Sequence, residues 1–347
     1  MAYISFKPKD HFNTVLYTGT GSSMSVTGAG FQPDWTWIKT RNAVNASHIV
    51  DVVRGVGQAV ASDLNNSQYS SGVTSFDSDG FSLVGGTGAV NNSNGSTTYA
   101  SWNWKAGQSS GSSNSDGSVT STVSANSTSK FSIVKYTNPS SGSPFTVGHG
   151  LGVAPKLIIF KDYDTNSNWG VWTSGIGTGK YLILNNNNAE AAANLVTATS
   201  TTTFSTYYDH FSNGSNIVAY CFAEVTGFFK TGIYFGNGST WGTFVNCGFK
   251  PAFIIIKQET GNQGWMMHDN KRNDPAAMLG NVIDAALFPS STAAEDSASN
   301  FYIDFLSNGF KIRNTDHAHN ASNNSYVYWA FAEEPVVASN GDPATAR

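Results

Sequence analysis

Apolar and polar positions in this chain fall into a block that returns three times. One copy is Gly248-Phe249-Lys250-Pro251-Ala252-Phe253-Ile254-Ile255-Ile256-Lys257; the others are Gly30-Phe31-Gln32-Pro33-Asp34-Trp35-Thr36-Trp37-Ile38-Lys39 and Gly152-Val153-Ala154-Pro155-Lys156-Leu157-Ile158-Ile159-Phe160-Lys161. In each, proline stands at the mouth of an apolar run, where its fixed φ suits an extended entry and its missing N–H breaks no ladder. The run is about five residues long, bounded by Gly and Pro on one side and polar residues on the other, which predicts a buried strand rather than a helix. Three copies predict three related units.

The flanks repeat as well. Tyr17, Tyr136 and Tyr234 precede the prolines by 16, 19 and 17 residues, spacing that predicts the same hairpin each time. Each unit closes on a strand with paired aromatics: Trp102 and Trp104, Tyr220 and Phe222, Trp329 and Phe331. Residues two apart share a strand face, so each pair is predicted to point inward. Ser78-Asp79-Gly80-Phe81 and Ser307-Asn308-Gly309-Phe310 carry the Asp/Asn-Gly signature of a tight hairpin. Helix is expected to be nearly absent, the best candidate being Glu190 to Leu195. The predicted fold is all-β, three tandem β-sandwich (jelly-roll-like) modules at 14–107, 118–227 and 228–335. An N-terminal arm at 1–13, a Ser/Gly linker at 108–117 and a C-terminal tail at 336–347 complete the chain.

Composition narrows the function. Charged residues are only 12% of 347, whereas 22 Phe, 14 Tyr and 9 Trp supply ample area to bury, so the chain is not disordered. A net charge of −4 without a basic cluster excludes nucleic acid as the expected partner. No run approaches the ~20 apolar residues of a membrane span, so no membrane insertion is expected. The first residues lack the basic flank and apolar block of a signal peptide, which predicts folding in a reducing cytoplasm with Cys221 and Cys247 as free thiols.

Candidate chemistry is sparse. Six glutamates provide no acid pair in a glycosidase setting, and no histidine adjoins a nucleophile elbow, so no enzyme activity and no cofactor are expected. His317 and His319 are the weak metal candidates, since strand alternation would put both imidazoles on one face; the Asn-rich surroundings predict a solvated hairpin loop instead. Asp51 with Arg54, and Asp269 with Arg272, are three apart and predicted to close turns through charge-assisted bonds. Trp35 and Trp37 have Leu157, Ile159, Phe253 and Ile255 as counterparts, so they read as core. Aromatics without counterparts in polar loops are the candidate ligand-binding residues: Trp241, and Tyr207, Tyr208, Asp209 and His210. The second module lacks both the Gly-rich hairpin and the Asp-x-x-Arg turn, and is the one expected to have specialised for binding.

Taken together, Phe6-x-Pro8, Phe12-Asn13-Thr14-x-Leu16-Tyr17-Thr18-Gly19, the Gly30 to Lys39 strand, Ser75-Phe76-Asp77-Ser78-Asp79-Gly80-Phe81, Val147-Gly148-His149-Gly150-Leu151-Gly152 and Ala330-Phe331-Ala332-Glu333 resemble a family of virion-associated proteins of tailed phages, many of them marine. The resemblance implies a non-enzymatic, tail-fibre-like or receptor-binding component, assembled in the bacterial host cytoplasm and located in the virion. Its expected partners are other virion proteins, further copies of itself (a homo-oligomer, trimer favoured), and a host cell-surface glycan or protein. The sequence departs from the family in carrying Asn138-Pro139 where a Gly-rich turn is usual, and it has no coiled-coil or collagen-like shaft. A capsid decoration protein is the alternative expectation, and a glycan-binding protein or depolymerase the second. A charge-poor Ser/Thr/Asn surface suits salty water, where screening is short-ranged.

Overall fold

The three Pro-led blocks become the strands Trp35–Thr40, Leu157–Asp162 and Phe253–Gln258, and every residue in them is buried. Burial on both faces is what continuous apolar runs bounded by Pro dictate. In the computed structural model, which describes residues 6–92, 94–140, 144–272 and 282–334, each of these strands pairs with a closing strand: Thr98–Trp104, Asn216–Phe222 or Ser325–Phe331. The tail at 336–347 and the first five residues of the arm lie outside the described residues.

One strand order occurs three times. Phe12–Thr18, Thr98–Trp104, Trp35–Thr40 and His48–Asp51 lie side by side. So do Phe131–Thr137, Asn216–Phe222, Leu157–Asp162 and Gly170–Thr173, within a wider eight-stranded sheet. Phe229–Phe235, Ser325–Phe331, Phe253–Gln258 and Met266–Asp269 complete the set. All pairs are antiparallel, and the register matches: Phe12↔Trp104↔Trp35, Phe131↔Phe222↔Leu157, Phe229↔Phe331↔Phe253.

Smaller antiparallel sheets lie against these, one against each four-strand set, and make the fold sandwich-like and all-β; each set with its smaller sheet is the first, second or third sandwich in chain order. They are Met24–Thr27 with Gly80–Leu83 and Val73–Asp77; Phe145–Gly148 with Thr203–Thr206 and Ala198–Thr199; and Phe244–Asn246 with Gly309–Ile312, Ile303–Leu306 and Val282–Ile283. Gly80 and Gly309 begin the middle strands of the first and third. A Cβ on either would meet the carbonyl oxygen of Val26 or Val245 at 1.9 Å, so only glycine lets these strands approach.

The aromatic faces of the larger sheets turn toward one another and share a core. Trp35 stacks on Tyr220 with centroids 4.6 Å apart, Phe253 lies 5.5 Å from Trp102, and Phe222 lies 5.6 Å from Phe331. Where they meet, Trp35, Trp104, Leu157, Phe222, Phe253 and Phe331 help line an apolar void of about 10 Å³, so the packing is nearly complete. The arm joins this core from outside: Phe6 stacks on His11 at 4.8 Å and meets Phe228 at 5.0 Å.

Two local expectations are corrected. The Ser/Gly stretch 108–117 is no free spacer, because Ser112–Asn114 forms the edge strand of the eight-stranded sheet against Ser121–Val123. Ala191–Ala192, inside the expected helix, pairs with Lys180–Tyr181, while the Glu190 N–H donates to the Glu259 carbonyl. Those two anchors override alanine's helix preference. Among the described residues the α-helix is a single turn, His317–Asn320.

Candidate functional site

The Asp-x-x-Arg pairs sit at the end of the fourth strand in the first and third sandwiches. Asp51 Oδ2 accepts from Arg54 Nε at 2.6 Å, and its other oxygen caps the Val53 and Arg54 N–H groups. Asp269 treats Arg272 likewise, with Nε–Oδ2 at 2.5 Å. Both pairs are fully buried, and each reaches into a neighbouring sandwich. The Tyr220 hydroxyl donates to Asp51 at 2.8 Å, and the Trp102 indole N–H donates to Asp269 at 3.0 Å. Glu295 extends the second pair by joining Arg272 at 2.9 Å and Arg41 of the first sandwich at 2.7 Å.

The lysines that end the Pro-led strands are also buried. Lys39 Nζ lies 3.4 Å from Asp63 and donates to the Ser291 carbonyl. Lys161 donates to the carbonyls of Asn65 and Ser167, and Lys257 to those of Gln258 and Gly261. Burial pushes Lys161 and Lys257 down to about 8. These polar groups connect strands and loops; they do not converge on a cleft.

The histidine cluster differs from its sequence reading. Asp316 caps the turn at His317 by accepting from the Ala318 N–H at 2.8 Å, so the segment is helical and successive side chains diverge. His317 is exposed, whereas His319 is buried with its Nε2 3.0 Å from His268 Nε2. His268 Nδ1 lies 3.1 Å from the Ala285 carbonyl, which fixes it as the protonated nitrogen and leaves Nε2 to accept from His319. Among the described residues no group of three or more His, Cys, Asp or Glu side chains is arranged for a metal ion.

In the second sandwich, Tyr207 is half-buried, Asp209 exposed and His210 half-buried, within and beside the short turn Tyr208–His210. His210 meets Tyr181 edge-on at 5.8 Å. The Tyr208 side chain lies outside the described residues. Cys221 and Cys247 are free and buried.

Trp241 is 70% exposed, and it overhangs the outer face of the smaller sheet of the third sandwich. That face is built by strand alternation. Val245, Phe310 and Phe305 point into the core, so Phe244, Lys311 and Asp304 form a row pointing out. One step along, Arg313 donates its backbone N–H to the Tyr302 carbonyl and its guanidinium to Asp304 at 2.7 Å. Trp241 covers both cations, with Lys311 Nζ 4.7 Å and the Arg313 guanidinium 5.0 Å from its ring centre. Phe235, Phe244 and Tyr302 are also exposed, at 65, 43 and 39%, so the exposed large aromatics of the described residues belong to this sandwich.

The fold and these sites define an all-β, sandwich-like protein whose buried polar pairs tie its sheets together and whose exposed aromatics gather at one sandwich. The chain belongs to the family described as a domain of unknown function (DUF7483), which matches residues 7–335. No curated protein and no solved structure matches it.

Proposed function

We propose that the protein is a structural component of a tailed-phage virion, tail-fibre-like and without enzymatic activity, that contributes to attachment at the host surface. The observation that carries this reading is the outer face under Trp241: an aromatic and cationic patch on an otherwise Ser-, Thr- and Asn-rich chain that is only 12% charged. A patch of that kind, held on paired strands, is suited to recognition rather than turnover. We further read the three sandwiches as copies of one unit closed around a shared aromatic core. A single chain then brings together what a fibre trimer obtains from three chains. The sequence resemblance to virion-associated phage proteins supports the same assignment.

A second reading, capsid decoration, draws on the same triplicated arrangement, since a ring of three like units fits a threefold position on a head. Immunogold labelling of purified particles tests both. Label at the tail supports attachment, label on the head supports decoration, and absence from particles sinks both.

A further inference from the structure

The three smaller sheets can be compared position by position, because their registers coincide at Val26↔Phe81, Val147↔Phe204 and Val245↔Phe310. The outward row beside that pair is Ser25, Ser82 and Ser75 in the first sandwich, and Thr146, Ser205 and Ala198 in the second. In the first, the serines bond one another and Asp77: Ser25 to Ser82 at 3.0 Å, Ser82 to Asp77 at 2.7 Å. In the third, the same row is Phe244, Lys311 and Asp304. Small, self-satisfied residues have been replaced by a large apolar group and two opposite charges at positions where packing asks for neither. Arg313 then claims Asp304, which leaves Lys311 without an ion pair among the described residues. The face carries two cations and one carboxylate on a chain whose net charge is −4.

We infer that this face of the third sandwich binds an acidic saccharide, the C–H face of a pyranose ring against Trp241 and its acid group on Lys311 and Arg313. The occupant follows from the chemistry. A ring exposed to 70% keeps the face turned away from the cations as a flat apolar platform, and the cations beneath it, with the Arg313 side chain still 37% exposed, select an anionic partner over a neutral one. A guanidinium already oriented by Asp304 loses little freedom on meeting an acid group. This deepens the attachment reading and rests on it for the source of the ligand, a cell-surface polysaccharide. It also moves binding from the second sandwich to the third.

Isothermal titration of the full chain tests it with uronate oligomers, sulfated oligomers of equal length, and carboxyl-reduced neutral oligomers. Uronate or sulfated oligomers should bind and the neutral ones at least tenfold more weakly; the first two arms show which acid group is preferred. Trp241→Ala should weaken binding at least tenfold, and Lys311→Ala about fivefold with a shallower salt dependence. Ser25→Ala, in the corresponding row of the first sandwich, should leave it unchanged. Melting temperature should be unaffected in all three, since none removes buried contacts. No binding of either acidic probe at millimolar concentration, equal binding of the neutral oligomers, or parental affinity in Trp241→Ala overturns the inference. So does a concentration-dependent dimer that Trp241→Ala abolishes while no saccharide binds, which would assign the face to self-association. The titration is independent of where the protein sits in the particle, so failure of the saccharide inference and failure of the virion reading are told apart.

Discussion

The indole N–H of Trp102 donates to Asp269 at 3.0 Å, a bond between strands of the first and third sandwiches that joins residues 167 positions apart. Tyr220, at the corresponding place in its own strand, donates to Asp51. Trp329 holds the third such place, yet its Nε1 is buried without a partner, and the register puts Thr173 where the other two sandwiches have the aspartate. Trp102→Phe and Trp329→Phe remove similar apolar volume, but the first breaks a bond to a charged acceptor and the second removes an unsatisfied donor. Trp102→Phe should cost about 1.5–3 kcal/mol more in urea unfolding, the usual worth of a hydrogen bond to an ionised group. Equal costs would show that the Trp102–Asp269 bond contributes nothing net.

The two buried ion pairs should respond unequally to loss of their acids. Arg54 has Asp51 as its carboxylate partner, and one of its guanidinium nitrogens is already unsatisfied. Arg272 keeps Glu295 at 2.9 Å when Asp269 is removed. Leaving a buried guanidinium unpaired costs roughly 3–5 kcal/mol, so Asp51→Ala should approach that figure and Asp269→Ala should fall clearly below it. Chemical denaturation of both variants, with Asp269→Ala/Glu295→Ala as the control, checks the ranking. The double variant should close the gap.

What the sequence revealed was governed by range. The Pro-led strands were legible because glycine and proline punctuate them at fixed offsets, and the inward aromatics because strand alternation is a two-residue rule. The Asp51–Arg54 and Asp269–Arg272 contacts are three apart and could be anticipated, but nothing local points to Tyr220 or Trp102 as their further partners. Trp241 stood out as an aromatic without a counterpart, yet Lys311 and Arg313 lie about 70 positions later and only sheet pairing brings them beneath it. For His317 and His319 the signal was present and outweighed: Asp316 is a good N-cap, and the Asn-rich context hid it. The Ala191–Ala192 strand shows the reverse, a local preference defeated by a partner strand and by the distant Glu259 carbonyl.

Stability should rise on moderate alkalinisation. Lys161 and Lys257 titrate at about 8 in the folded protein because burial penalises the ammonium, against an ordinary value of 10.5. Between those values the unfolded chain binds more protons, so unfolding becomes harder as pH increases. Each lysine can contribute roughly 1–3 kcal/mol across that window. From about pH 9 the buried Cys221 and Cys247 thiols, pushed up by burial, oppose the rise, and above about pH 10 the trend should reverse, because the buried Tyr136, Tyr220 and Tyr234 hydroxyls are also held well above their ordinary range and ionise only on unfolding. Denaturant midpoints at pH 7, 8.5 and 9.5 measure the rise, and Lys161→Met/Lys257→Met should flatten it.

On the acid side, the His268–His319 pair should set part of the sensitivity. His268 is held well below 6.5 by burial, by His319 and by Arg272, all of which oppose a positive charge on its ring. Its Nδ1 donates to Ala285, so protonation must occur at Nε2 and would break the bond with His319. As pH falls through 6.5 the unfolded chain takes up a proton that the folded chain refuses, and stability is lost at up to about 1.4 kcal/mol per unit for such a group. His48, pushed down to about 4 by burial, acts in the same direction. Asp34 acts against them: burial raises it to about 6, so between about 6 and 3.8 the folded state is the better proton acceptor. His268→Gln keeps a donor toward Ala285 and removes the titration. Its unfolding free energy should therefore fall less than the parent's between pH 7 and pH 5, while Asp34→Asn should make the fall steeper. If the parent and His268→Gln lose the same stability over that interval, the histidine pair is not the acid-sensitive element.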